Sequence, residues 1–176
     1  VYALTAEPTV SFWDAGEYIL SASKLNVGHP PGAPLFQMLG AFFSIFAMDP
    51  SQIGYIMNLM SGISSAFTIL FMFWSISLLL SKVSSKIDLK KNNNFTILIS
   101  SLVASLSFVF TDTFWFNAVE TEVYAMATLI MSVLFYLGLK WEQEMHLPRG
   151  NRWLILISFI VGLSFGVHFM GLLTIP

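Results

Sequence analysis

The chain of 176 residues contains no cysteine and few charged residues, and both shortages narrow its possible functions. Without cysteine it forms neither disulfides nor thiolate metal sites. Only 10% of its residues are charged, against about 25% in ordinary soluble domains. It also lacks a Walker loop, a dinucleotide-binding glycine pattern, a zincin motif, a nucleophile elbow and a basic patch for nucleic acid. These absences argue against nucleotide-dependent enzymes and nucleic-acid partners.

Hydrophobic residues make up 56% of the chain, and the mean hydropathy is +0.74. We therefore expect an all-α, polytopic transmembrane helical bundle embedded in a lipid bilayer. The predicted spans are about 53–80, 95–111, 123–139 and 154–176.

The predicted domains are an outer region over 1–52 and a transmembrane bundle over 53–176. Within the outer region, the uncharged run 34–48 is short for a span. We expect a helix at the membrane surface that begins at Pro34, with a short span as the alternative. The chain starts without Met and ends in an apolar run, so we expect the N-terminal portion of a larger protein.

Charge is distributed unevenly between the segments that connect the predicted spans. Seven of the eight basic residues lie in 81–94 and 140–153, whereas seven of the ten acidic residues lie in 1–52 and 111–122. Because basic loops stay on the cytoplasmic side, the acidic segments should face the opposite side. This pattern predicts a multi-pass protein of the inner (cytoplasmic) membrane with periplasmic acidic loops.

Two acidic residues, Asp14 and Glu17, stand three positions apart in the outer region. On a helix this spacing places both carboxylates on one face, where repulsion near lipid should raise the pKa of one of them. Such a pair can supply a general base and a companion that binds or orients. The alternative is an acidic, solvated helix start at the membrane edge.

A histidine, His29, opens a stiff run of sequence HPPGAP. Consecutive prolines hold an extended path, and Gly32 permits a sharp turn or a close approach. The imidazole is either held near an anionic ligand or simply solvated in a loop that the prolines shape.

Three further polar residues lie at or inside the predicted spans. Glu122 precedes the third span, where the helix dipole alone favours an acid, or it faces the same outer cavity as Asp14. His168, in the last span, is either a structural histidine or a contact to a phosphate or another anion. Asn58, in the first span, either bonds across helices or contributes to substrate binding.

The segments SFWDAGEYILSASKLNVGHPPGAP, NLMSG, NAVETEVYAMA and GVHFMGLLTIP together resemble the protein O-mannosyltransferase-like membrane family of Bacteroidetes. That family belongs to the GT-C superfamily of glycosyltransferases, so the resemblance implies a GT-C-like bundle. It also implies that Asp14 is catalytic and Glu17 its companion acid, and that His29, Glu122 and His168 contact substrate. His168 falls near a position that is often Lys in relatives.

The resemblance further implies an inverting transfer of a mannose-like sugar from a polyprenyl phosphate to a hydroxyl of a protein or glycan acceptor. The lipid-linked sugar would be a co-substrate, and no cofactor or metal is expected, although an acidic cavity is able to hold a divalent cation. A transporter-type membrane protein and a non-catalytic assembly subunit are the alternatives. Span interiors nearly free of charge argue against the transporter.

Overall fold

Apolar runs without internal proline fold as helices in the computed structural model, which describes residues 1–86 and 94–174. The α-helices of those residues are α1 (Tyr2–Thr5), α2 (Ala15–Lys24), α3 (Pro34–Ser44), α4 (Ile53–Lys86), α5 (Asn94–Val109), α6 (Asp112–Val119), α7 (Val123–Glu144) and α8 (Asn151–Ser164). Short 3-10 helices cover Pro50–Gln52 and Phe169–Thr174. Since this part of the chain contains no strand, the all-α prediction is confirmed for it.

Two helices, α4 and α7, are long and apolar enough to cross a membrane. With 34 residues, α4 is about 50 Å long at 1.5 Å per residue. A third crossing is possible if α5 and α6, which meet at a bend of 67°, count as one broken span. These helices support a membrane protein. The sequence had suggested a connecting segment where α6 forms.

The run predicted to span at 154–176 differs from one continuous helix. Its α-helix, α8, ends at Ser164, and a 3-10 helix begins at Phe169. Residues 175–176 lie outside the described residues, as does half of the basic loop 81–94, including Lys90 and Lys91.

The two longest helices run in the same direction. Near their first turns, the hydroxyl of Thr121, just before α7, donates to the side-chain oxygen of Asn58 on α4. Near their last turns, the ammonium of Lys82 on α4 pairs with the carboxylate of Glu142 on α7. We call the first the acidic end of the bundle and the second the basic end.

The other two apolar segments return from the basic end to the acidic end. The hydroxyl of Tyr2 donates to the carbonyl of Val109, the last residue of α5. At the start of α8, Arg152 pairs with Glu144, and beyond its end the carbonyl of Gly166 accepts from the backbone of Leu35 at 2.7 Å. The acidic and basic segments thus lie at opposite ends of the bundle.

Close helix contacts place α2 and α3 against the start of α4. Gly40 on α3 permits this approach, because a Cβ built there would lie only 2.9 Å from the Cβ of Ala22 on α2. Prolines begin two of the elements, with Pro34 in the first turn of α3 as predicted. A buried apolar cluster joins α3, α4 and α7. Its members are Ala33, Phe36, Met60, Val123, Met126 and Val167.

Candidate functional site

Three side chains of the outer region converge at the acidic end. Asp14 is the residue immediately before α2, and Glu17 lies in its first turn. The backbone N–H of His29 donates to Oε1 of Glu17 at 2.6 Å, and Nδ1 of His29 lies 3.0 Å from Oε2. On the other side of the ring, Nε2 lies 4.0 Å from Oδ2 of Asp14. The imidazole therefore sits between the two carboxylates.

Backbone turns return His29 to the start of α2. Leu25 ends α2 in a left-handed conformation with φ of 52°. After His29 the chain turns again at Gly32, where φ is +78° and the N–H donates to the His29 carbonyl at 2.8 Å. The proline-rich run thus forms the corner that holds the imidazole against Glu17.

Electrostatics separates the roles of the two acids. Hydrogen bonds from the His29 backbone and side chain lower the pKa of Glu17. The same contact raises the pKa of His29 and so favours an imidazolium–carboxylate pair. Our expectation that repulsion would raise a pKa within the pair is wrong for Glu17, because His29 lies against it. Glu17 is thus suited to hold His29 rather than to accept a proton.

The second acidic segment lies between α6 and α7. Glu120, Thr121 and Glu122 are all buried, and Glu122 is only 6% exposed. Burial, with the nearby carboxylates of Asp14 and Glu120, raises the pKa of Glu122 to about 7. The backbone N–H of Asp14 also hydrogen-bonds to Glu122 and partly opposes this shift. The structure thus brings Asp14 and Glu122 together from distant parts of the chain.

An open cavity of about 260 Å³ separates the two acidic segments. Its lining combines carboxylates, an amide, a phenol and aromatic faces, contributed by Trp13, Asp14, Phe116, Asn117, Glu120, Glu122 and Tyr124. A concave site with a few convergent polar groups is the usual form of a small-molecule site. The accessible carboxyl of Asp14 and the buried carboxyl of Glu122, whose pKa is raised to about 7, are suited to bind and deprotonate hydroxyl groups.

The other two predicted binding residues, like Glu17 and His29, lie outside the cavity lining. The imidazole of His168 is 5.3 Å, centroid to centroid, from the ring of Tyr124, and its Nδ1 accepts from the Met170 backbone at 3.1 Å. His168 is therefore beside a cavity residue.

Asn58 is fully buried. Its amide donates to the carbonyls of Glu7 and Thr9, and its oxygen accepts from Thr121. This side chain ties the outer region to the segment that carries Glu122, an arrangement that matches bonding across the structure rather than direct binding.

Several cavity residues were missed by reasoning from sequence. Trp13 directly precedes Asp14, but a tryptophan in a membrane protein is also typical of the membrane interface. Asn117 and Tyr124 flank the acids within NAVETEVY, and this proximity is the signal that could have identified them. Tyr18 packs edge-on against Phe36, with ring centroids 5.3 Å apart, and connects the His29 corner to the buried apolar cluster.

Asp14, Glu17 and His29 are also the group whose ligand atoms could hold a metal ion within the described ranges. One atom from each lies within 4.8 Å of the others. Two carboxylate oxygens and an imidazole nitrogen form a donor set that suits several divalent ions. Binding would require His29 to lose its proton, against the effect of Glu17 on its pKa.

An apolar groove of about 280 Å³ runs beside the buried cluster. It is lined by hydrophobic side chains and one serine, contributed by α3, α4, α7 and α8 and by Val167. Met60, Met126 and Val167 belong to both the groove and the cluster against which Tyr18 packs. The groove therefore lies against the cluster that Tyr18 connects to the His29 corner.

Fold and site together define a helical membrane protein with an acid-lined cavity at one end of its bundle. Residues 14–176 match the family described as the protein O-mannosyl-transferase TMEM260 N-terminal domain, and the chain belongs to this family. This confirms the O-mannosyltransferase-like family that the motifs predicted.

Two curated relatives align with most of the chain. Protein O-mannosyl-transferase tmem260 of Dictyostelium discoideum is 28% identical over 154 residues, which cover 87% of this chain and 17% of the relative. Protein O-mannosyl-transferase TMEM260 of Mus musculus is 26% identical over 164 residues, covering 93% of this chain and 21% of the relative. The chain thus spans about a fifth of the length of these relatives. No solved structure matches it significantly.

Proposed function

We propose that the full-length protein is an inverting membrane glycosyltransferase of the GT-C type. It transfers a mannose-like sugar from a polyprenyl-phosphate donor to an acceptor hydroxyl on a protein or glycan. The reaction takes place on the periplasmic side of a bacterial inner membrane. The supporting observation is that Asp14 and Glu122 line one open cavity at the acidic end, with His29 between Asp14 and Glu17.

Asp14 is the proposed catalytic base. Its side chain is 58% exposed and lines the cavity, whereas Glu17 is engaged by two contacts from His29. Asp14 takes the proton of the acceptor hydroxyl as the hydroxyl oxygen bonds to the anomeric carbon of the sugar. The bond from that carbon to the phosphate oxygen breaks, and the lipid phosphate leaves with the electron pair.

The remaining polar residues have supporting roles in this proposal. In its protonated form, which Glu17 favours, His29 stabilises the negative charge on the leaving phosphate. His168 is the second candidate for this role, and Glu122 binds sugar or acceptor hydroxyls. Asn58 acts indirectly, by holding the segment that carries Glu122. No step requires a metal ion.

The apolar groove supports a lipid-linked donor. Its lining offers a polyprenyl chain apolar contacts along α3, α4, α7 and α8. Because the groove lies against the cluster that Tyr18 connects to the His29 corner, a donor lying in it would present its phosphate near the bundle end that carries His29 and Asp14. A soluble nucleotide-sugar donor has no long apolar chain that would bind in this groove.

The decisive experiment is Asp14→Asn in the full-length protein, purified in detergent and supplied with polyprenyl-phosphate mannose and a Ser/Thr peptide. We expect kcat to fall by about 10²- to 10⁴-fold, the usual contribution of a general base. Mass spectrometry of the peptide measures the transfer.

The matched control is Asp112→Asn, which removes an exposed carboxylate at the start of α6, outside the cavity lining. It should leave the transfer rate unchanged. An Asp14→Asn protein that inserts normally and transfers sugar at the wild-type rate would refute Asp14 as the base. A wild-type protein without transfer from any lipid-linked hexose would favour the assembly-subunit alternative.

Sidedness has its own test, by single cysteines introduced into a cysteine-free full-length protein. Val27, 95% exposed near the His29 corner, reports on the acidic end, and Ser85, exposed near the end of α4, reports on the basic end. An impermeant thiol reagent added to spheroplasts should label Val27→Cys but not Ser85→Cys. Labelling of both positions from one side would contradict the proposed topology.

A further inference from the structure

Trp13 has an unusual backbone conformation for a bulky residue. Its φ is +60°, in the left-handed region that favours glycine. The indole does not compensate by packing, since the residue is 85% exposed. A residue that violates a local rule without gaining packing is commonly found at functional sites.

The conformation has a geometric consequence at the cavity. Neighbouring side chains in a strand point to opposite faces, and in a helix they diverge around the axis. At the left-handed corner, however, Trp13 and Asp14 line the same cavity. The strained backbone thus places an indole beside the proposed base.

The rest of the lining has the chemistry that recognises a sugar ring. Glu122 and Asn117 offer acceptors and donors for hydroxyl groups, and the ring of Phe116, 51% exposed, adds a second aromatic surface. A hexopyranose has an apolar face of C–H groups and an edge of hydroxyls, so it matches an aromatic face beside carboxyl and amide groups.

We propose that Trp13 is a sugar-binding residue: its indole stacks on the hexose ring of the donor and positions the anomeric carbon near Asp14. This inference rests on the proposed function, since it assigns the donor sugar to the same cavity. With a Ser/Thr peptide as acceptor, the donor supplies the only sugar ring in the reaction.

Two substitutions in the full-length protein separate the indole from the backbone. Trp13→Gly relieves the left-handed strain but removes the ring, whereas Trp13→Phe keeps an aromatic face. For Trp13→Gly we expect the KM for polyprenyl-phosphate mannose to rise about three- to tenfold, the effect of one aromatic contact. Its melting temperature should be equal or higher, and its KM for the peptide unchanged. Trp13→Phe should recover most of the donor KM.

The matched control is Phe12→Ala, which removes a neighbouring aromatic ring that is 86% exposed and absent from the cavity lining. It should leave both KM values unchanged. If Trp13→Gly has the wild-type donor KM, or if Phe12→Ala raises it equally, Trp13 is only a membrane-interface residue and the proposal is overturned.

A binding measurement keeps the inference independent of turnover. Saturation-transfer NMR with methyl α-mannoside should show contact with the ring protons for the wild type and a weaker signal for Trp13→Gly. A mannoside signal that depends on Trp13 in a protein without transferase activity would sustain the sugar site and refute the proposed function. An equal signal from the wild type and Trp13→Gly, or no signal from either, would refute the sugar site whatever the activity.

Discussion

Carboxylates occur at both ends of the bundle but in different electrostatic surroundings. At the basic end Glu142 pairs with Lys82, and Glu144 accepts from the guanidinium of Arg152 and the indole of Trp153. At the acidic end, Asp14 and Glu17 have the imidazole of His29 as their cationic neighbour, and Glu122 is buried beside Asp14.

This difference separates structural acids from candidate catalytic ones. A carboxylate that pairs with a permanently charged side chain adds a modest contact between helices. Carboxylates that face one another across a cavity repel, and burial raises the pKa of Glu122 toward neutral pH. Residue type alone thus assigns no role, and the neighbouring charges decide it.

The sharpest contrast between the ends is expected from two identical substitutions. Glu17→Gln should lower kcat by about 10- to 100-fold, because misplacing a group beside the chemistry is costly. Losing Glu17 also lowers the pKa of His29, so any activity that needs protonated His29 should disappear at a lower pH than in the wild type. The pH–rate profile of the full-length protein measures both effects.

Glu144→Gln is the control at the basic end, since it weakens contacts to Arg152 and Trp153 far from the cavity. It should change thermal stability and leave the pH–rate profile intact. Equal losses of kcat in the two variants would mean that the ends do not differ in function.

A second contrast concerns how stability depends on pH. Folding raises the pKa of Glu122 from 4.5 to about 7. The contribution of Glu122 to the free energy of unfolding is therefore complete at a pH below 4.5 and is lost as the pH rises through 7. The difference amounts to at most about 3 kcal/mol. The melting temperature of Glu122→Gln should therefore exceed that of the wild type at pH 8 and differ little from it at pH 4.

Thermal unfolding in detergent between pH 4 and 8 measures this effect. Asp112→Asn, which removes an exposed acid at the same end, should keep the wild-type dependence. A Glu122→Gln profile parallel to that of the wild type would show that folding does not shift the pKa of Glu122.

A smaller effect is expected from the ion pair of Lys82 and Glu142. Both side chains are substantially exposed, at 41% and 48%, so the pair should be screened by solvent. A double-mutant cycle with Lys82→Met and Glu142→Gln should give a coupling of about 1 kcal/mol or less. A markedly larger coupling energy would mean that this contact helps to hold α4 and α7 in their parallel arrangement.

The smallest effect should follow removal of divalent metal. The Asp14, Glu17 and His29 set has ligand atoms at suitable spacing, but Glu17 favours protonated His29, which cannot coordinate. EDTA should leave sugar transfer unchanged, and added Mn²⁺ should not accelerate it. Loss of transfer with EDTA that Mn²⁺ restores would establish a metal-dependent reaction.

Much of the helical architecture could be predicted because its causes are local. Long uncharged runs exclude water-exposed folds, and Pro34 was identified as a helix start since its ring suits the first turn. Boundaries were less predictable. The bend between α5 and α6 and the end of α8 at Ser164 lie within apolar sequence that would also suit a continuous helix.

The candidate site was predictable in its residue types and only partly in its arrangement. Asp14, Glu17, His29 and Glu122 stood out because ionisable groups are rare in this chain. Glu17 binds His29, and the side chain of Asn58 is fully engaged in internal hydrogen bonds. Both contacts depend on turns and on packing between distant segments. The left-handed backbone of Trp13 could not be predicted either, because a tryptophan does not normally indicate this conformation.

The sequence by itself determined the helices and the division of charge between two ends, because hydropathy and charge act residue by residue along the chain. Only the tertiary structure decided which acids meet. It placed Asp14 against Glu122 by way of the parallel α4 and α7, buried Glu122 enough to raise its pKa, and turned Trp13 into the same cavity. These outcomes depend on distance and desolvation in the folded protein, which spacing along the chain does not specify.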